Sequence, residues 1–238
     1  HLSEAASLAG VPDAVLATLR QEAESRGLDG FVITLDIPSY LPVMQYAQDR
    51  SLRERLYQAY VTRASEQGPG NGCWDNSEIM VEILAARHEL ALLLNYSDYT
   101  EYSLACKMAE DSEQVLQFIR DLAAKARPFA LQDLADLNEF AATEDGLESL
   151  EPWDIPYYSE RLRQARFAIS QQELRPYFPV SRVIDGLFQV VGRLFDVELE
   201  QGVHCEPYHA DVELYHIRSG GQIIASFYLD LYAREHKR

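Results

Sequence analysis

Positive charge is in short supply: 21 Lys and Arg stand against 38 Asp and Glu, leaving a formal charge of −17 at pH 7. Phosphate binding needs a concentrated cationic face. Here the cations are scattered among acids along helical stretches, and the one basic cluster, Arg234, His236, Lys237 and Arg238, closes the chain. Nucleic acid is therefore excluded as a partner. Cysteine is scarce as well. Cys73, Cys106 and Cys205 are odd in number and far apart, which suits free thiols in a reducing compartment rather than a disulfide framework. No apolar run approaches the ~20 residues of a membrane-spanning helix, and the first residues carry neither a basic n-region nor an apolar h-region, so a cytoplasmic protein is expected. The absence of an initiator Met reads either as a processed end or as a chain that begins inside a longer protein.

Motif chemistry is thin too. There is no G-x-S-x-G, no G-x-x-x-x-G-K-[ST] and no G-x-G-x-x-G. Gly68-Pro69-Gly70-Asn71-Gly72 lacks the Lys and the preceding strand of a phosphate loop, and reads as a surface loop. Arg87-His88-Glu89-Leu90-Ala91-Leu92 approaches a zinc-protease helix, which needs two His four residues apart so that both imidazoles meet the metal. The fourth residue after His88 is Leu92, so the second ligand is missing.

What is present is apolar, aromatic and helical. Hydrophobic residues make up 47% of the chain and aromatics 11%, enough for a substantial core. Pro12 opens a helix that Gly27 ends; Phe31 to Leu35 reads as a short strand or extended connector, with Pro38 and Pro42 as breakers. Ser51 is a cap for a segment carrying Leu52, Leu56, Ala59 and Tyr60. Asp75 with Glu78 resembles a capping box, followed by Ile79, Ile83, Ala86, Leu90 and Leu93 on one face of a long amphipathic helix. Asp98 and Asp111 are expected N-caps, the second helix running past Pro128 with a kink or break until Gly146. After aromatic and proline-rich sequence around Pro152-Trp153-Asp154 comes a capping signature, Ser170 with Glu173, and a helix from about Val180 to Phe195. Alternation over 211–216, the Ser219-Gly220-Gly221 turn and an Ile/Phe/Tyr-rich stretch predict a hairpin. Its last strand is apolar on both faces and wants neighbours.

The fold class is thus mainly α, a helical scaffold followed by a small antiparallel β hairpin or sheet. Candidate site residues fall into two groups. Trp153, Asp154, Tyr157 and Tyr158 mix rings and carboxylate as a peptide cleft does, or equally as core rings beside a solvated face do. His204, Cys205 and His209 are candidate metal ligands whose spacing matches no zinc signature; exposed loop residues are the preferred reading. Cys205 beside His204 also pairs a thiol with a base, but adjacency in sequence says little about pairing in space.

Seven stretches together carry a resemblance: 35–44 (LDIPSYLPVM), 60–65 (YVTRAS), 74–77 (WDNS), 87–91 (RHELA), 152–155 (PWDI), 174–179 (LRPYFP) and 226–235 (SFYLDLYARE). In sequence and spacing the chain resembles the bacterial oligopeptidase branch of the thimet oligopeptidase family of zinc metallopeptidases. The resemblance implies cleavage of short peptides in a deep channel between two lobes, with zinc as cofactor of the full-length enzyme. It also implies that the H-E-x-x-H helix follows the last strand and that further helices precede His1. On that basis residues 1–145 are scaffold and 146–238 open the catalytic domain, truncated before the zinc helix. No catalytic residue and no metal ligand carries over, and the segment alone is expected to bind no zinc and to be inactive. The alternative is a noncatalytic peptide- or partner-binding helical module. The uncovered stretch from Gln222 to Ala233 is available for strand pairing.

Overall fold

The computed structural model describes residues 1–3, 5–68, 72–168, 174–202 and 207–232. The chain divides into two compact units, His1–Ala168 and Ile169–Arg238.

The first unit is helical. A 3₁₀ turn at Ala5–Leu8 precedes α1 (Asp13–Ser25), α2 (Ile37–Tyr46), α3 (Arg50–Val61), α4 (Ser77–Leu93), α5 (Tyr99–Leu104), α6 (Ser112–Asp145) and α7 (Ile155–Phe167). Its main core joins Leu8, Val11, Val15, Leu19, Phe31, Val43, Ala47 and Leu52. Phe31 makes one antiparallel bridge to Leu2 and the chain then runs extended, so the connector reading holds. The two prolines do not break α2. Pro38 lies in the first turn, where its missing N–H has no intrahelical acceptor anyway. Pro42 removes one ladder bond, which burial of Tyr40, Val43 and Met44 offsets.

Helix starts depend on local carboxylates. Asp49, rather than Ser51, caps α3, accepting from the backbone N–H of Ser51 and Leu52. Asp98 and Asp111 cap α5 and α6 as expected. Asp75 spends its carboxylate on the N–H and hydroxyl of Ser77, so no reciprocal box with Glu78 forms. The 34-residue α6 passes through Pro128 and ends at Gly146, in the left-handed region at φ 67°.

α4 is helical as expected, yet its apolar residues do not mark a buried face. Ile79, Ile83, Leu90 and Leu93 are exposed, and Ala91 is the buried member. Phe118, Ile119, Leu122 and Phe129 of α6 are also exposed.

In the second unit a 3₁₀ turn at Arg175–Tyr177 leads into α8 (Val180–Phe195), which covers the predicted span. Three antiparallel strands follow in the order β1 (Glu198–Gln201), β2 (Glu213–Ser219) and β3 (Gln222–Leu229). The hairpin turns at Gly220-Gly221, both at positive φ, the conformation a two-residue turn requires. β1 was not anticipated. Phe188 of α8 meets the rings of Tyr215 and Phe227 at 4.9 and 6.5 Å, seating the helix on one sheet face. The chain is mainly α with a small sheet near its C-terminal end.

Candidate functional site

The four aromatic and acidic candidates converge on the start of α7, a helix that the proline-rich reading missed. Pro156 sits in its first turn, the place where proline favours a helix. α7 packs against α2 and α6, and two carboxylates, Asp154 just before it and Glu160 within it, are buried.

Asp154 is fully buried. It accepts from Arg50 Nε at 3.0 and 3.1 Å, Arg50 Nη2 at 2.7 Å, Arg53 Nη2 at 3.0 Å and the Glu151 backbone N–H at 3.1 Å. Arg53 is itself buried, and its Nη1 donates to the carbonyls of Ala47 and Gln48. Burial pushes the Asp154 carboxyl up, but the hydrogen bonds from Arg50, Glu151 and Arg53 more than reverse this and hold it below the usual carboxylate range. Glu160, one α7 turn and a half further on, accepts from Tyr46 Oη at 3.1 Å and Gln164 Nε2 at 2.8 Å, and pairs with Arg163. Burial, then the charge of Glu160 and its hydrogen bond, push the Tyr46 phenol up to about 12.

Rings complete the cluster. Trp153 lies 5.9 Å from Tyr57 and 6.0 Å from the Arg50 guanidinium carbon. Arg53 stacks on Tyr157 at 4.1 Å, and Tyr157 meets Tyr158 edge-on at 5.2 Å. Tyr158 donates to Asp145 Oδ2 at 2.8 Å, which also pairs with Arg161. Burial, followed by the bond to Asp145, raises Tyr158 to about 12. Tyr157 and Tyr158 line a cavity of about 560 Å³ with Gln48, Arg50, Arg53, Asp145, Leu147 and Arg161.

All four predicted residues are therefore neighbours, but Asp154 and Glu160 are held by side chains that sequence reading did not single out: Arg50, Arg53 and Tyr46. The available signal was a carboxylate beginning a helix (Asp154) and a basic residue at each end of one turn of α3 (Arg50, Arg53).

His204 and Cys205 lie outside the described residues. His209 Nδ1 accepts from the Asp211 N–H at 3.2 Å. His88 is exposed on α4 with Leu92 one turn later. Among the described residues no three His, Cys, Asp or Glu side chains converge in a way that could hold a metal ion. Cys73 and Cys106 are free and exposed, and no helix among the described residues is long and apolar enough to cross a membrane.

Residues 43–238 match peptidase family M3. The chain belongs to that family. It is 49% identical over all 238 residues to oligopeptidase A of Salmonella typhimurium, and also 49% identical to oligopeptidase A of Escherichia coli. Identity to oligopeptidase A of Haemophilus influenzae is 51% over 234 residues, or 98% of the chain. More distant, dipeptidyl carboxypeptidase of Escherichia coli is 30% identical over 99% of the chain. The chain spans about a third (35%) of the length of the first two of these relatives.

Proposed function

We propose that this chain supplies the middle segment of a zinc-dependent oligopeptidase that hydrolyses short peptides, and that residues outside it hold the metal. The observation that carries this reading is the identity of about half along the whole chain to oligopeptidase A sequences some three times as long. The exposed apolar faces of α4 and α6 support it, since monomer surfaces rarely carry contiguous apolar patches of that kind.

On this reading residues 1–145 are scaffold and the remainder opens the catalytic lobe. Trp153, Asp154, Tyr157 and Tyr158 brace the wall of the peptide channel and do not touch the scissile bond. β3 lies at the edge of the sheet among the described residues and pairs with a further strand of the complete enzyme. The enzyme works in the cytoplasm on short peptides, without nucleic acid or membrane as partner. A stand-alone peptide- or partner-binding module is the rival reading, and the length of the relatives argues against it. Gel-filtered protein from the native source, probed by intact mass, distinguishes the two: a polypeptide well beyond 27.1 kDa is expected, and a native protein of that mass refutes the segment reading.

A further inference from the structure

The cavity beside α7 has a polarity that the bracing role does not use. On one wall, two guanidiniums, Arg50 and Arg53, share the single buried carboxylate of Asp154. Arg50 commits Nε and Nη2 to that carboxylate, which leaves Nη1 on a side chain 45% exposed. Arg53 also lines the cavity, and although its side chain is 2% exposed its Nε has no hydrogen-bond partner. Gln48 stands next to them with its backbone engaged and its side chain exposed. Also on the lining, Arg161 pairs with Asp145, and with Glu144 outside it. Asp145 receives both Tyr158 and Arg161 on Oδ2, leaving Oδ1 as an acceptor. Leu147 and the Tyr157 ring supply the apolar flank.

A guanidinium nitrogen of Arg50 and the Gln48 side chain as donors, a carboxylate oxygen of Asp145 as acceptor, and apolar lining beside them suit a ligand that carries both signs. We propose that this cavity binds a small zwitterion, a free amino acid or a dipeptide, with its carboxylate on Arg50 Nη1 and Gln48 and its ammonium toward Asp145 Oδ1. About 560 Å³ lies within the range of small-ligand sites and holds a dipeptide. The inference stands on the cavity alone, and its success or failure is independent of the peptidase reading.

Calorimetric titration of the 238-residue chain with leucine, glycyl-leucine, N-acetyl-glycyl-leucine and glycyl-leucinamide tests it. Saturable binding of leucine or glycyl-leucine is expected, and whichever binds tighter identifies the ligand length. Each blocked peptide should bind roughly ten- to a hundredfold more weakly, the worth of one charge-assisted hydrogen bond. In Asp145→Asn the penalty for N-acetylation should vanish while that for C-terminal amidation persists; Arg50→Met should do the reverse. Circular dichroism establishes that each variant is folded, and Asp145→Asn alone suffices should Arg50→Met unfold. The proposal is overturned if neither free ligand binds saturably, if blocked and free peptides bind alike, or if folded Asp145→Asn still discriminates against the acetylated peptide.

Discussion

Removing the Asp154 carboxylate should be the most damaging single change in the first unit. Asp154→Ala strands the Arg53 guanidinium, 2% exposed, in a site where Asp154 was its sole anionic partner among the described residues. Breaking a buried ion pair from one side costs about 3–5 kcal/mol, because the remaining charge stays desolvated. Arg50→Gln leaves Asp154 still paired with Arg53 and accepting from the Glu151 N–H, so it should cost far less, about 1 kcal/mol. Urea unfolding followed by Trp153 fluorescence, in a Trp74→Phe background that removes the exposed second tryptophan, reads both. With an m-value of about 2 kcal/mol/M, Asp154→Ala should lower the midpoint by ~1.5–2.5 M and Arg50→Gln by ~0.5 M. Replacing the pair by apolar residues, Asp154→Leu with Arg53→Met, should recover much of the loss. An Asp154→Ala midpoint shift no larger than that of Arg50→Gln would refute the reasoning, since only Asp154→Ala leaves a buried charge without its ionic partner.

Three further outcomes follow from the same geometry. The folded-state pKa of Asp154 is depressed, so its stabilisation is present above the unfolded carboxyl value of about 3.9 and is lost as pH falls through the folded value; Asp154→Asn should flatten the acid limb of the stability profile below about pH 4. Tyr46 is raised to about 12, so its contribution is complete below the unfolded value of about 10 and declines as pH rises from there through 12; Tyr46→Phe should reduce the alkaline slope by up to one proton in urea titrations at stepped pH. Gly146 ends α6 at φ 67° with nothing within 4 Å of a built Cβ, so Gly146→Ala should cost about 1 kcal/mol by thermal unfolding, entirely from backbone conformation.

Local signals in the sequence reached the helices more reliably than they reached burial. Asp98, Asp111 and Gly146 act within one turn, and the boundaries they set match the structure. α8 and the hairpin were equally legible from periodicity and from Gly220-Gly221. Proline misled twice in the same way: Pro38 and Pro156 both lie in first turns, where the missing N–H has no acceptor to lose. The buried face expected on α4 failed for a different reason. Periodicity reports that a helix has an apolar stripe, not which element covers it, and Ile79, Ile83, Leu90 and Leu93 are exposed here. Ile223 and Ile224 of β3 repeat the lesson. At the candidate site, the gathering of Trp153, Asp154, Tyr157 and Tyr158 was visible because they are near in sequence. Their partners Arg50 and Arg53 lie 101–104 residues away, and no local pattern encodes that separation.

Hydrolysis of an internally quenched short peptide, measured in parallel for the 238-residue chain supplied with zinc and for the complete source protein, tests the central claim most directly. The account predicts chelator-sensitive turnover by the complete protein and none by the chain. Chelator-sensitive turnover by the 238-residue chain itself would contradict it, because the metal and its ligands would then reside within these residues.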